Sequence, residues 1–522
     1  MPQRVILDAM IPRADFEVED AQQVTQQRFQ DFPISRLEDD SPIRLLLRKP
    51  DFQRETNHWS PEQVVTFIAS FLDDELIPSL ILWYSPSYIF VIDGGHRLSA
   101  LRAWMNDDYG DRAVSLQFYG CQISNHQRAV ARRTRTLIES SIGRYTYLRS
   151  LVGGSARASA IEMRRAQNLV TRALNLQWVL GNADVAETSF FKINSQGTPL
   201  DDVEEMLLRN RTKAIAIAAR AIFRSGSGHK YWARFSPRTQ TTIERLAEKF
   251  GELLFDPEVQ SPIKTLDLPL GGPVSPVDAL ALLIDFLAIA SSKSATTRNI
   301  RTDPEDADGS GTVEVLQSSQ TVAERISGND SPSLGLHPAV YFYNDRGVYQ
   351  RHLFLGVTRL ITDKIRNNDD SWFRRFTKVR GKLEKYLIDN KTIINQIFAN
   401  VNREARVLKV RDMMNALVTT LSATQSFGNA ELFASIGFSG TILDIGPTTA
   451  RGRFSRDTRS QVFIREALPL TPKCPYCHGL LFALRSISYD HKTPRSAGGE
   501  STAANAQLMH PYCNSLKGNQ TP

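Results

Sequence analysis

The 522-residue sequence is poor in cysteine, with four in all, and three of them crowd into the C-terminal tenth while Cys121 stands alone. That distribution excludes a disulfide framework and suits a reducing, cytoplasmic setting. Long apolar runs are missing as well. The opening MPQRVILDAMIPRAD has no apolar core of the kind a signal peptide needs, so none is expected. The most apolar stretch, ALALLIDFLAIA, is too short to span a bilayer and contains Asp285. It reads as a buried helix, and no membrane partner is expected. No repeat of fixed period is present. Acidic charge is in modest deficit: 56 Asp and Glu against 63 Lys and Arg leave a net charge of +7, which tilts the chain toward a polyanionic partner. The length has room for two to four domains.

What is present is concentrated at the C-terminal end, in CPYCHG followed by SYDHKTPRSAGGESTAANAQLMHPYCNSLKGN. Cys474 with Cys477, and His510 with Cys513, form two pairs of soft ligands that suit a closed tetrahedral Zn²⁺ site. Such a site can hold together a segment too small to build its own core. Between the pairs lie Asp490 and His491, a Gly498-Gly499 turn and Asn505, and Asn514 follows the last cysteine. Asp490 and the Asn514 amide can supply oxygen ligands to a hard cation. His491 can serve as a base near neutral pH. The bland alternative is a zinc ribbon that holds structure and does no chemistry.

This segment closely resembles the HNH (ββα-metal) endonucleases, whose pattern runs CxxC, DHxxPxxxGG, N, QL and CN..K. The resemblance covers about a tenth of the chain. It implies that His491 activates water, that Asn505 orients His491, and that Asp490 and Asn514 hold a catalytic Mg²⁺ or Mn²⁺. It further implies a DNA-facing role for Lys517, on a phosphate. His510 stands where many members have cysteine, and the neighbouring His478 is a rival ligand.

From Ile43 to Trp104 the pattern is α/β. Ser60 and Pro61 open a helix with Val64, Phe67, Ile68 and Phe71 on one face. Two strand candidates, SLILWY and YIFVID, are separated by Ser-Pro-Ser. The second runs through DGGHR into LSALRAW, a strand–glycine turn–helix unit that aims backbone N–H groups at one spot and favours bound phosphate. Taken with KPDFQRETNHW and the later FFKINSQGTPL, the stretch from about 40 to 210 resembles the GmrSD-type N-terminal domain, related to the ParB/sulfiredoxin fold. The resemblance implies a nucleotide site (GTP, ATP or CTP, with NTPase activity) at Gln53, Arg54, Asp93, Gly94, Gly95, His96 and Arg97. Gly95 and His96 replace the two glutamines of the family's DGQQR. The alternative is a tight turn in which Arg97 merely pairs with a carboxylate. A sulfiredoxin-like redox role is excluded, because Gly95 occupies the place of the required cysteine.

Residues 125–175 are rich in arginine and poor in acids. Helical spacing puts Arg128, Arg132 and Arg135 on one stripe, either a solvated face or a DNA-backbone surface. Residues 201–290 and 337–435 read as amphipathic helices. The Ser, Thr, Asp and Gly composition of 291–335 reads as a linker or mobile loop. The expected fold is an α+β multidomain chain. It comprises a ParB/sulfiredoxin-like α/β domain for sensing nucleotide or DNA over 1–225, a mostly helical middle over 226–462, and a zinc-stabilised ββα-metal HNH module over 463–522. The expected function is a nucleotide-regulated DNA endonuclease of a restriction or anti-phage system, acting on phage or modified DNA, with a homo-oligomer allowed. The rival reading is a ParB-like DNA-binding factor with a non-catalytic zinc ribbon.

Overall fold

The structure, a computed structural model, describes residues 4–16, 28–53, 59–120, 123–153, 158–196, 202–224, 226, 229–273, 276–294, 296–424, 426–437 and 453–520. Arg54 and Cys121 lie outside them. The chain forms two compact units. One comprises Met1–Thr212 with Ser227–Arg234, and the other Lys213–Gly226 with Phe235–Pro522.

The first unit is built on a mixed six-stranded sheet with strands β1 (Arg13–Ala14), β2 (Asp31–Pro33), β3 (Leu47–Pro50), β4 (Leu80–Tyr84), β5 (Ile89–Asp93) and β6 (Ala173–Trp178), in the order β1-β3-β5-β4-β6-β2. β4 and β5 are the antiparallel pair expected from SLILWY and YIFVID. Their side chains alternate between two cores, because a strand points successive residues to opposite faces. Leu80, Leu82, Ile89 and Val91 pack on one side, and Trp83, Phe90 and Ile92 on the other. Helix α1 (Pro61–Leu72) begins as expected, with Ser60 and Gln63 forming a capping box and Val64, Phe67, Ile68 and Phe71 buried. Helix α2 (Gly95–Asn106) leaves β5 through Gly94, whose φ of 98° is a left-handed conformation that favours glycine. Helix α3 (Asn125–Ser141) carries the first arginines of the basic stretch.

The second unit is helical apart from one small hairpin. The stretch 291–335 is not the linker its composition suggests. It contains helix α4 (Ser310–Ile326), with Val315, Leu316, Val322, Ala323 and Ile326 buried. Its polar residues are spent on local bonds: Asp306 accepts from the backbone of Gly309 and Thr312, fixing the start of the helix. Helices α5 (Arg351–Arg366), α6 (Asp370–Asp389) and α7 (Arg406–Thr424) pack nearby. At the C-terminal end, strands β7 (Ser488–His491) and β8 (Ala506–Met509) pair antiparallel and lead into helix α8 (Pro511–Lys517). Among the described residues no helix is long and apolar enough to cross a membrane.

Candidate active site

Cys474, Cys477, His510 and Cys513 come together as the sequence spacing requires. Their ligand atoms lie within 4.8 Å of one another and all four residues are buried. A tight turn brings the first pair round, with Cys474 N donating to Gly479 O at 2.9 Å and His478 N to Cys474 O at 2.8 Å. His478 is exposed and stands outside the set. The imidazole of His510 is fixed at Nε2 by the Leu480 carbonyl, 3.0 Å away, which turns Nδ1 to the Cys477 sulfur at 3.3 Å. Hydrogen bonds from Cys477 and Cys513 pull the Cys474 thiol well down, while bonding to Cys474 pushes Cys513 well up. Three sulfurs and one imidazole nitrogen are the donor set of a structural Zn²⁺ site.

The zinc-binding turn is built against α6. Gly381 N donates to Cys477 O at 3.1 Å. A Cβ on Gly381 would come within 2.9 Å of the His478 Cβ, and one on Gly479 within 2.4–2.9 Å of the Arg380 side chain. Two glycines therefore allow turn and helix to touch. Beside them lies a buried ion pair. Arg380 donates to Glu384 at 2.7 Å and to the carbonyls of Gly335 (2.8 Å) and Leu334. Glu384 also accepts from Tyr341 at 3.0 Å and from Leu480 N, in the zinc turn, at 2.6 Å. Burial alone would lower Arg380; the charge of Glu384, the largest opposing cause, helps to more than offset it. Arg380, Gly381 and Glu384 carry no sequence signal, because an i,i+4 ion pair reads as an ordinary exposed one.

Register in the hairpin sets Asp490 opposite Gln507 and His491 opposite Ala506. The Asp490 Oδ2 accepts from Gln507 Nε2 at 2.8 Å and from Lys517 Nζ at 2.7 Å, and no described residue bonds its Oδ1. Lys517, expected to face a phosphate, is instead fully buried, and its second bond, 2.6 Å, goes to the His491 carbonyl. It sits at the end of a helix that packs on the hairpin, so its ammonium points inward at a carboxylate. Asn505, expected to orient the His491 ring, acts on the loop. It accepts from Thr493 N at 2.8 Å and donates to Thr493 O and Glu500 O at 3.0 and 2.8 Å. Gly499 is needed in that loop, since a Cβ there would lie 1.8 Å from Thr493 O. The half-exposed His491 places Nε2 3.2 Å from Ser501 Oγ. Asn514 donates Nδ2 to Ser488 Oγ at 2.6 Å, which leaves its carbonyl oxygen without a bond from a described residue. The Asp490 Oδ1 and Asn514 Oδ1 are hard oxygen donors that fit a Mg²⁺ or Mn²⁺ ion.

In the first unit the DGGHR turn is more closed. Arg97 pairs with Asp93 at 2.5 Å and reaches the carbonyls of Ser79 (3.4 Å) and Pro78. Burial lowers its pKa and the Asp93 charge opposes that. The turn thus takes up Arg97 as the bland reading has it. A Cβ on Gly95 would lie 3.0 Å from Gln53 Oε1, a buried acceptor with no hydrogen-bond partner among the described residues. His96 stacks on Trp59, ring centroids 5.7 Å apart. Of the α3 stripe, Arg128 and Arg132 are exposed. Arg135 is bound to Asp107 at 2.9 Å and to Asp111 at 2.7 Å, so it is not free for DNA.

Residues 35–213 match the family described as GmrSD restriction endonuclease, N-terminal domain, and residues 474–520 match HNH endonuclease. A search of curated proteins and one of solved structures returned no match. The C-terminal match coincides with the Cys474–Cys513 cluster and the β7–β8–α8 unit, and supports nuclease activity. A GmrSD N-terminal domain followed by an HNH endonuclease domain is therefore the architecture of this chain, and it supports a restriction-type HNH nuclease.

Proposed function

We propose that the chain is a DNA endonuclease of a restriction or anti-phage system, regulated by a nucleotide through its N-terminal unit. The observation that carries the cleavage reading is the set Asp490, His491 and Asn514 on β7 and α8, with unbonded oxygens on two of them beside a half-exposed imidazole. A divalent cation held by Asp490 and Asn514 would stabilise charge on the scissile phosphate and its leaving oxygen. His491 takes the proton of the attacking water. A Ser501 contact at Nε2 suits the tautomer that leaves the lone pair on Nδ1 for that proton. Lys517 and Gln507 fix Asp490 through one oxygen and leave the other for the cation. Asn505 and Gly499 hold the loop from Thr493 to Ser501. Zinc at Cys474, Cys477, His510 and Cys513 would tie the Cys474–Gly479 turn to the start of α8.

Nucleotide regulation is supported by Gln53, whose Oε1 is a buried acceptor against the glycine turn with no bond from a described residue; such an atom suits a ligand's donor. The test is incubation of the full chain with plasmid and Mg²⁺ or Mn²⁺, with and without GTP, ATP or CTP. Nicking and linearisation that depend on the cation, with a rate that changes on adding one of the nucleotides, are expected. An intact plasmid bound by the protein under all conditions would favour the DNA-binding rival.

A further inference from the structure

Helix α6 has a second face. Its buried side, Trp372, Phe373, Phe376, Arg380, Leu383 and Glu384, packs into the helical unit and against the zinc turn. Its exposed side presents Arg374, Arg375, Lys378, Lys382 and Lys385, at the three- and four-residue spacing that lines one stripe of a helix. Two exposed acids flank that stripe: Asp370, one turn before Arg374, and Asp389, which pairs with Lys385 at 2.8 Å. Arg374, Arg375 and Lys378 have no ion pair with any described residue, and Arg375 donates only to Ser371 Oγ, at 3.1 Å. Like charges so spaced oppose helix formation, and the fold gains nothing from them.

The arginine-rich stretch of the first unit behaves differently. There Arg133 pairs with Glu62, Arg135 with Asp107 and Asp111, Arg144 with Glu139, Arg149 with Glu38, and Arg165 with Asp73. Those arginines are mostly used inside their own unit. Position also favours α6. Tyr512 lies in the first turn of α8, the helix that carries Cys513 and Asn514. Phe373, next to Arg374, meets the Tyr512 ring with centroids 6.2 Å apart. The unpaired cations are thus fixed to the same helix that fixes the zinc turn.

We propose that the exposed face of α6, through Arg374, Arg375 and Lys378, is a docking surface for the phosphate backbone of duplex DNA. The proposal takes the identity of the polyanion from the cleavage reading above. From Arg374 to Lys385 the stripe is about 16 Å long, roughly the rise of five base pairs. Contacts of this kind read charge and hold the duplex in place without reading sequence.

The test measures binding of a 30-base-pair duplex to full-length His491→Ala protein, which holds DNA without cutting it, across a salt titration with Mg²⁺ present. Against it stand R374Q/R375Q/K378Q, the conservative R374K/R375K, and R128Q/R132Q on α3, each in the same His491→Ala background. Equal zinc content and melting temperature show that the exposed substitutions leave the fold intact. The triple variant is expected to flatten the plot of log affinity against log salt by about 2–3, and to bind on the order of 10²-fold more weakly at 0.1 M salt, whatever the duplex sequence. R374K/R375K should keep the parent slope, since the contact needs charge, and R128Q/R132Q should leave it unchanged. A triple variant with the parent affinity and slope, or a slope flattened by R128Q/R132Q instead, overturns the proposal. DNA bound through α6 but never cut by the His491 protein overturns the cleavage reading alone. DNA cut normally by a triple variant with intact His491, with the binding slope unchanged, overturns the α6 surface alone.

Discussion

Two aspartates, one in each unit, lie at or near the end of a strand and accept a cation from a later helix, and their settings differ. Asp93 ends β5 and takes Arg97 at 2.5 Å, with the pair 39 % and 10 % exposed. Asp490 lies in β7 and takes Lys517 at 2.7 Å, with the pair 9 % and 0 % exposed. Arg97 turns its Nη1 to the carbonyls of Pro78 and Ser79, so it closes its own turn. Lys517 spends its second bond on the carbonyl of His491, so it sets the next residue of the chain and leaves one Asp490 oxygen open. A cation that looks ligand-facing in sequence becomes, when buried, a clamp on its carboxylate. What the clamp serves depends on what is left unbonded beside it.

Defects on the Asp490 side should therefore appear as lost cleavage, and those on the Asp93 side as lost stability. The largest effect expected is that of Cys474→Ser. Zinc binding at such sites contributes about 10–16 kcal/mol to folding, so this variant should lose zinc and all cleavage while the first unit melts unchanged; full zinc content with full cleavage would remove the metal assignment. Next come Glu384→Ala and Lys517→Met. Each leaves a buried charge unpaired, at a cost of about 3–5 kcal/mol. Zinc retention under chelator should fall for Glu384→Ala, whereas Lys517→Met should keep its zinc and lose turnover. If both behave alike, Lys517 is merely structural, as Arg97 is.

A smaller effect concerns acid. Burial lowers His337 to about 4, and its Nδ1 accepts from Ala339 N at 3.2 Å. The unfolded chain binds this proton below its ordinary value of about 6.5, and the folded chain only near 4. Stability from this residue is fully present above pH 6.5 and drains as pH falls toward 4, by roughly 3 kcal/mol. Melting curves of His337→Asn should lose that part of the slope; an unchanged acid slope would contradict it. The smallest effect is that of Arg97→Met, about 1–2 kcal/mol on the first unit, because exposure of Asp93 screens the pair. Nucleotide affinity with stability unchanged would show that Arg97 faces a ligand after all, if affinity fell.

The elements were largely legible where periodicity is strong. Ser60, Pro61 and the apolar spacing of α1 predict that helix, and SLILWY and YIFVID predict β4 and β5. The zinc set was legible because metal geometry constrains ligand spacing directly. What stayed hidden has a common cause: direction. Composition marked 291–335 as a linker, yet its polar side chains bond locally around α4. Spacing put Arg135 on a stripe with Arg128 and Arg132, either a solvated face or a DNA-backbone surface, but Asp107 and Asp111 lie within reach only after folding. Lys517 carries no sign in sequence that it points inward. Neither do Arg380, Gly381 and Glu384, which support the zinc turn from a helix about 100 residues earlier in the chain.

The most direct test is single-turnover cleavage of plasmid by wild type, His491→Ala and Asp490→Ala across a Mg²⁺ and Mn²⁺ titration. Loss of a general base should lower the rate of His491→Ala by about 10²–10⁴-fold at every metal concentration, with zinc content unchanged. Asp490→Ala should also fail but regain part of its rate as the cation is raised. Wild-type cleavage by His491→Ala, or its rescue by added metal, would contradict the assignment of His491 as the group that takes the proton from water.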